Sequence, residues 1–222
     1  MAQLEIACFN LNSAIIAQKN GVNRVELCAG FEVGGTTPKK KEVVEFIKLL
    51  SIDLYVMIRP RGGDFIYSDD EFSIMKNEIK TFKELKVTGF VFGILNEDKT
   101  INLPQNKELI ELAKPFPCTF HRAFDEVPDA FQSLENVIDC GFTTILTSGQ
   151  AQNAVAGIEL ITELVKKANN RIFIMPGGSL RSSNVRLIQQ NTKARFFHSS
   201  AIIDESQMAN AEEIIALKTN LK

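Results

Sequence analysis

The chain has two histidines, His121 and His198, and both close short apolar runs. Most other side chains able to carry chemistry sit in equivalent places. Glu26 and Cys28 end the run at 24–28, and Arg59-Pro60-Arg61-Gly62-Gly63-Asp64 closes and follows the run at 53–58. Arg122 and Asp125 lie just past His121, Thr147-Ser148-Gly149-Gln150 ends the run at 143–147, and Pro176-Gly177-Gly178-Ser179 follows 171–175. A carboxylate and an imidazole converging on one place can move protons when their pKa values lie near the working pH. Arginine grips carboxylate or phosphate with two parallel donors, and N–H groups freed by glycine can cradle an anion. On this reading Glu26 or His121 is the base or acid, and Asp125 orients His121 or binds a divalent cation. Arg59, Arg61 and Arg122, with Ser148, Gly177, Gly178 and His198, hold an anionic ligand. The same residues also fit a structural role, in which buried Glu–Arg pairs satisfy one another and His121 is a hydrogen-bonded core residue.

The elements that must position these residues are legible in the hydrophobic pattern. Runs rich in β-branched and aromatic residues occur at 3–8, 24–28, 53–58, 88–94, 116–121, 143–147, 171–175 and 194–199, each reading as a strand buried on both faces. Helical spacing fits 11–20, 39–50, 69–86, 105–114, 128–140, 153–168, 182–191 and 208–221. It is clearest at 69–86, where Phe72, Met75, Ile79, Phe82 and Leu85 share a face behind a Ser68/Glu71 capping box. Thr37 and Pro38 read as N-cap and first-turn proline of the helix at 39–50. No linker or low-complexity stretch divides the chain, so 1–222 is expected to form a single domain. Eight strands each followed by a helix predict an α/β fold, the (β/α)8 or TIM barrel, which gathers chemistry at the carboxyl ends of its strands. An open doubly wound sheet prefers a glycine-rich turn after its first strand; here Cys8-Phe9-Asn10 stands in that place.

Strand residues alternate between two faces. Val25 and Leu27 therefore face the helices while Glu26 and Cys28 face the barrel axis. Tyr55, Met57 and Arg59 point inward, as do Glu5 and His121, and Cys8 and Cys118 point outward. A charged mouth of Glu5, Glu26, Arg59 and His121 is expected.

Composition narrows the function classes. Lys+Arg 25 against Asp+Glu 27 leaves a net charge of −2, without the basic footprint of a nucleic-acid binder. Four scattered cysteines do not make a disulfide scaffold, and no apolar run is long enough to span a membrane. The opening MAQLEIACFN lacks the basic start and apolar block of a secretory signal. A soluble, cytoplasmic protein is expected. No HExxH, P-loop, GxGxxG or zinc-spaced cysteine pair occurs, and no lysine at a strand end supports Schiff-base chemistry.

Five blocks together resemble one family: Arg24–Cys28, Gly34–Pro38, the long block Met57–Ser68 (MIRPRGGDFIYS), Thr119–Asp125 (TFHRAFD) and Ile145–Gln150. In this order, and over nearly the whole chain, they are similar to the CutC copper homeostasis family. The resemblance implies a cytoplasmic barrel, homo-oligomeric, tied to copper tolerance and described as copper-binding. Two positions depart from it: Ser179 stands where the family usually carries glycine, and Ile202-Ile203 where it tends to carry Arg or Lys. Both weaken a phosphate cup built from the last two loops.

Cu(I) prefers thiolate and thioether ligands, and the chain has no CxxC or methionine-rich cluster. Cys28 and Met57, inward on adjacent strands, form the most plausible soft pair, though a small apolar cysteine and a gap-filling methionine also suit a packed interior. Three functions are left open. One is copper handling through Cys28 with Met57 or a neighbouring histidine. Another is acid–base catalysis of isomerase, lyase or hydrolase type on a small anionic, phosphorylated or carboxylated metabolite. The third is a scaffold role.

Overall fold

The computed structural model describes residues 2–221. Eight strands alternate with eight helices. The strands are β1 (Gln3–Cys8), β2 (Arg24–Leu27), β3 (Asp53–Met57), β4 (Gly89–Phe92), β5 (Cys118–Phe120), β6 (Thr144–Thr147), β7 (Phe173–Pro176) and β8 (Phe196–Ser199). The helices are α1 (Leu11–Lys19), α2 (Lys40–Leu49), α3 (Asp69–Glu84), α4 (Leu103–Ala113), α5 (Ala130–Cys140), α6 (Ile158–Ala168), α7 (Val185–Thr192) and α8 (Ala211–Asn220). All strand pairs are parallel, in the order β7-β6-β5-β4-β3-β2-β1-β8. The sheet thus curls into a nearly closed (β/α)8 barrel, with β7 lying against β8 at the seam. No helix among the described residues is long and apolar enough to cross a membrane.

Two hydrophobic layers follow from the alternation of strand residues. Ile6, Val25, Val56, Phe90, Phe92 and Phe120 face outward and pack with Met75, Ile79, Leu109, Leu134, Val137 and Leu164 of the helices. Inside the barrel lie two small clusters: Cys28, Tyr55, Met57 and Val91, and Leu146, Met175 and Phe196. The inner space is tight enough to demand small residues beside large ones. A Cβ on Gly89 would sit 2.4 Å from the Tyr55 ring, and one on Gly93 would sit 2.9 Å from His121 Nδ1.

The α3 capping box forms as read, with Ser68 and Glu71 satisfying each other's backbone N–H groups. The α2 start differs. Lys39 is its N-cap and Pro38 lies outside the helix, because the Thr37 hydroxyl is already committed: it donates to Glu78 Oε2 at 2.8 Å and accepts from Arg59 N at 2.9 Å. Likewise α6, α7 and α8 begin at 158, 185 and 211, later than their hydrophobic spacing suggests. The residues before them are loops over the carboxyl face.

Candidate functional site

The barrel interior is charged from its floor upward. Register places Arg24 and His198 on either side of Glu5 on the neighbouring strands. Arg24 forms an ion pair with Glu5, and its guanidinium is sandwiched between Tyr55, at 3.8 Å, and Phe196, at 4.3 Å. Burial alone would raise the Glu5 carboxyl, but the Arg24 charge and the His198 hydrogen bond hold it below the ordinary carboxylate range. His198 Nδ1 donates to Glu5 Oε1 at 2.7 Å, and its Nε2 faces Glu26 Oε2 at 3.9 Å. Burial opposes the charged form of His198, yet the Glu5 hydrogen bond and the Glu26 charge raise its pKa. Burial pushes Glu26 up to about 6, with Glu5 adding repulsion and His198 pulling the other way. One layer higher, burial and the Glu26 charge drive the Cys28 thiol well above its usual range.

The opposite wall carries the second set of groups. Arg59, from the end of β3, donates Nη1 to Val33 O at 2.8 Å and Gly35 O at 2.9 Å, and Nη2 to Gly63 O at 2.8 Å. It lies over the Phe65 ring at 4.7 Å, and among the described residues no carboxylate pairs with it. His121 caps β5. Its Nδ1 accepts from Ala123 N at 3.3 Å, so the neutral ring carries its proton on Nε2. Burial and the Arg59 charge push its pKa down to about 3, which keeps it neutral.

Between the two walls lies a cavity of about 100 Å³, bordered by Glu26, Cys28, Met57, Arg59, His121 and His198, with Phe9, Gly34 and Arg122 towards the rim. It adjoins a wider cleft of about 280 Å³ that shares Arg122 and His198 and adds Gly178, Ser179, Arg181 and Ser200. Glu26, Cys28, Met57, Arg59, His121, Arg122 and His198 thus come together as their strand positions suggest. Glu5 is the exception among the inward charges: it sits on the floor beneath Glu26 and not at the mouth.

Four other residues have partners or surroundings that differ from those expected. Arg61 turns away and pairs with Asp64 at 2.9 Å and Glu71 at 2.6 Å, so nearby acids do neutralise it. Asp125 makes no contact with His121. It accepts from the Thr147 hydroxyl and from the backbone N–H groups of Ser148 and Gln150, and it pairs with Arg122 at 2.8 Å, which fixes the loop after β6. Ser148 is fully buried and serves that loop: its hydroxyl lies 2.7 Å from Ala151 O and accepts from Arg122 at 3.0 Å. Gly177 makes room, since a Cβ there would lie 2.5 Å from Leu146 and 3.3 Å from His198. Gly178 alone of the two glycines borders the wider cleft. At the position of the departure, Ser179 adopts a φ of +53°, the left-handed region that favours glycine.

Two site residues escaped the sequence reading. Arg24 shares the inward parity of Glu26 and Cys28, so alternation already carried its signal. Arg181 gave none. It lies beyond β7 in irregular chain, where its guanidinium donates to Leu180 O at 2.9 Å and Ile202 O at 2.7 Å.

As a metal site the cavity offers two sulfurs, from Cys28 and Met57, beside the side chains of Glu26, His121 and His198. Among the described residues no group of three or more His, Cys, Asp or Glu side chains is placed to hold a metal ion. Cys28 and Met57 pack in one cluster beside Gly35, whose Cβ, if present, would lie 3.3 Å from Cys28 Sγ and 3.5 Å from Met57 Cε. Cys8, Cys118 and Cys140 are buried in the outer layer.

Comparison with known proteins bears on nearly the whole chain. The model of the CutC family matches residues 2–203. A family protein CutC from Parabacteroides distasonis is 49% identical over 199 residues, 89% of this chain and 82% of that protein. A human protein named copper homeostasis protein cutC homolog is 41% identical over 198 residues, 89% of this chain and 72% of the human protein. The crystal structure of CutC from Streptococcus agalactiae superposes with a TM-score of 0.86 at 36% identity, covering 90% of this chain and 99% of that one.

Proposed function

The chain belongs to the CutC family, and on that premise we propose that it serves copper homeostasis by taking Cu(I) at the barrel mouth on the Cys28 thiol and the Met57 thioether. One observation carries the reading: of the four cysteines, only Cys28 borders the cavity, and a methionine sulfur borders it alongside. Both are soft donors of the kind Cu(I) selects. In the metal-free chain Cys28 is held as a thiol, so Cu(I) entry releases its proton. The names of the curated relatives support the link to copper. A cytoplasmic setting and a homo-oligomeric working state belong to the same reading. Four unpaired cysteines suit a reducing compartment, and light scattering on the purified protein checks the assembly.

A competition titration against a chromogenic Cu(I) chelator tests the site. Cys28→Ser is expected to abolish Cu(I) binding and Met57→Leu to weaken it about tenfold or more, while Cys118→Ser and Cys140→Ser bind as wild type. A titration unchanged by Cys28→Ser overturns the assignment.

A further inference from the structure

Among the described residues, the buried polar atoms without a hydrogen-bond partner include Glu26 Oε1, Arg59 Nε and His121 Nε2, whose residues border the cavity, and Tyr67 Oη and Thr119 Oγ1, whose residues do not. Glu26, Arg59 and His121 are nearly sealed from solvent, at 3%, 5% and 3% exposure respectively. Leaving even one buried polar atom unmatched costs about 1–3 kcal/mol, and here the three residues border a single small space. Their chemistry is specific. Arg59 is a permanent cation with no carboxylate partner among the described residues, though buried charges are ordinarily paired. His121 Nε2–H, fixed as a donor by the Ala123 contact, belongs to the same wall. Facing them, Glu26 Oε1 can only accept while the carboxylate is ionised. Two donors backed by a positive charge stand against one acceptor.

We propose that this cavity binds a small organic oxyanion that also carries a hydroxyl group, its carboxylate on Arg59 and His121 and its hydroxyl donating to Glu26. The ligand satisfies these three groups at once and supplies the negative charge Arg59 lacks. Arg122, paired with Asp125, lies at the rim shared with the wider cleft. A monofunctional anion leaves Glu26 Oε1 unmatched, which gives the site its selectivity. The inference stands apart from copper, because none of the three groups is a sulfur donor.

Calorimetric titration with glycolate, acetate and inorganic phosphate, on wild type and on three variants, tests it. Glycolate is expected to bind wild type saturably and about tenfold or more tighter than acetate. His121→Phe, which keeps a ring against Phe65, and Arg59→Met are expected to weaken glycolate by about tenfold or more. Arg59 also holds the Val33, Gly35 and Gly63 carbonyls, so if Arg59→Met fails to fold, the result rests on His121→Phe. Cys118→Ser, in the outer layer, should bind glycolate as wild type, and running every titration on copper-free protein separates this inference from the copper reading. No saturable glycolate binding up to about 10 mM, binding of phosphate alone, or glycolate affinity unchanged in His121→Phe each overturns it.

Discussion

Glu26 illustrates how a single carboxylate can work against the fold that holds it. Its pKa in the barrel is about 6 against an ordinary 4.5, chiefly because burial disfavours the charge. The folded chain therefore holds this proton more tightly than the unfolded chain does. The contribution of Glu26 is favourable below pH 4.5 and is lost as pH rises through 6, a cost on the order of 2 kcal/mol by about pH 8. Glu26→Gln should accordingly be more stable than wild type in urea melts near pH 8, with the gain shrinking towards zero near pH 4.5. Equal stability of the two proteins across that range would remove the burial argument. At this scale the inward set was legible, since parity alone brings Glu26, Cys28, Met57, Arg59 and His121 to one cavity. Hydrogen-bond partners were not. Arg61 finds Glu71 ten residues on, and Asp125 finds the backbone after β6, through loop paths that no strand period encodes.

Strands and helices follow from periodicity because each strand is buried on both faces and each helix on one. All eight pairs were readable, with their order implied by the barrel. Element ends were less so, since tertiary contacts compete with local caps. Thr37 gives its hydroxyl to Glu78 and to Arg59 N rather than to α2. The start of α6 is set by a close backbone crossing that composition does not announce: a Cβ on Gly157 would lie 1.9 Å from Ser148 O and 2.9 Å from Gly149 Cα. Gly157→Ala should therefore destabilise the protein by roughly 1–3 kcal/mol or more, the usual cost of overpacking. It should also disturb the Ser148–Asp125 loop beside Arg122. Urea unfolding measures the first effect. A variant as stable as wild type would show that the crossing has room to relax.

Across the whole molecule, the barrel divides its sulfur chemistry by layer. Cys8, Cys118 and Cys140 lie in the outer apolar core with the helices, where burial raises the thiols of Cys8 and Cys118 strongly and Cys140 to about 11. Cys28 alone shares the inner cavity with a second sulfur, above a floor of Glu5, Arg24 and His198. The proposed Cu(I) site lies in this inner layer, on Cys28 and Met57. X-ray absorption at the copper edge, on wild-type protein loaded with one equivalent of Cu(I), tests it most directly. The expected spectrum has a first shell of sulfur scatterers that is lost in Cys28→Ser and reduced by one sulfur in Met57→Leu. A shell made only of nitrogen or oxygen, or a sulfur shell that survives Cys28→Ser, would contradict it.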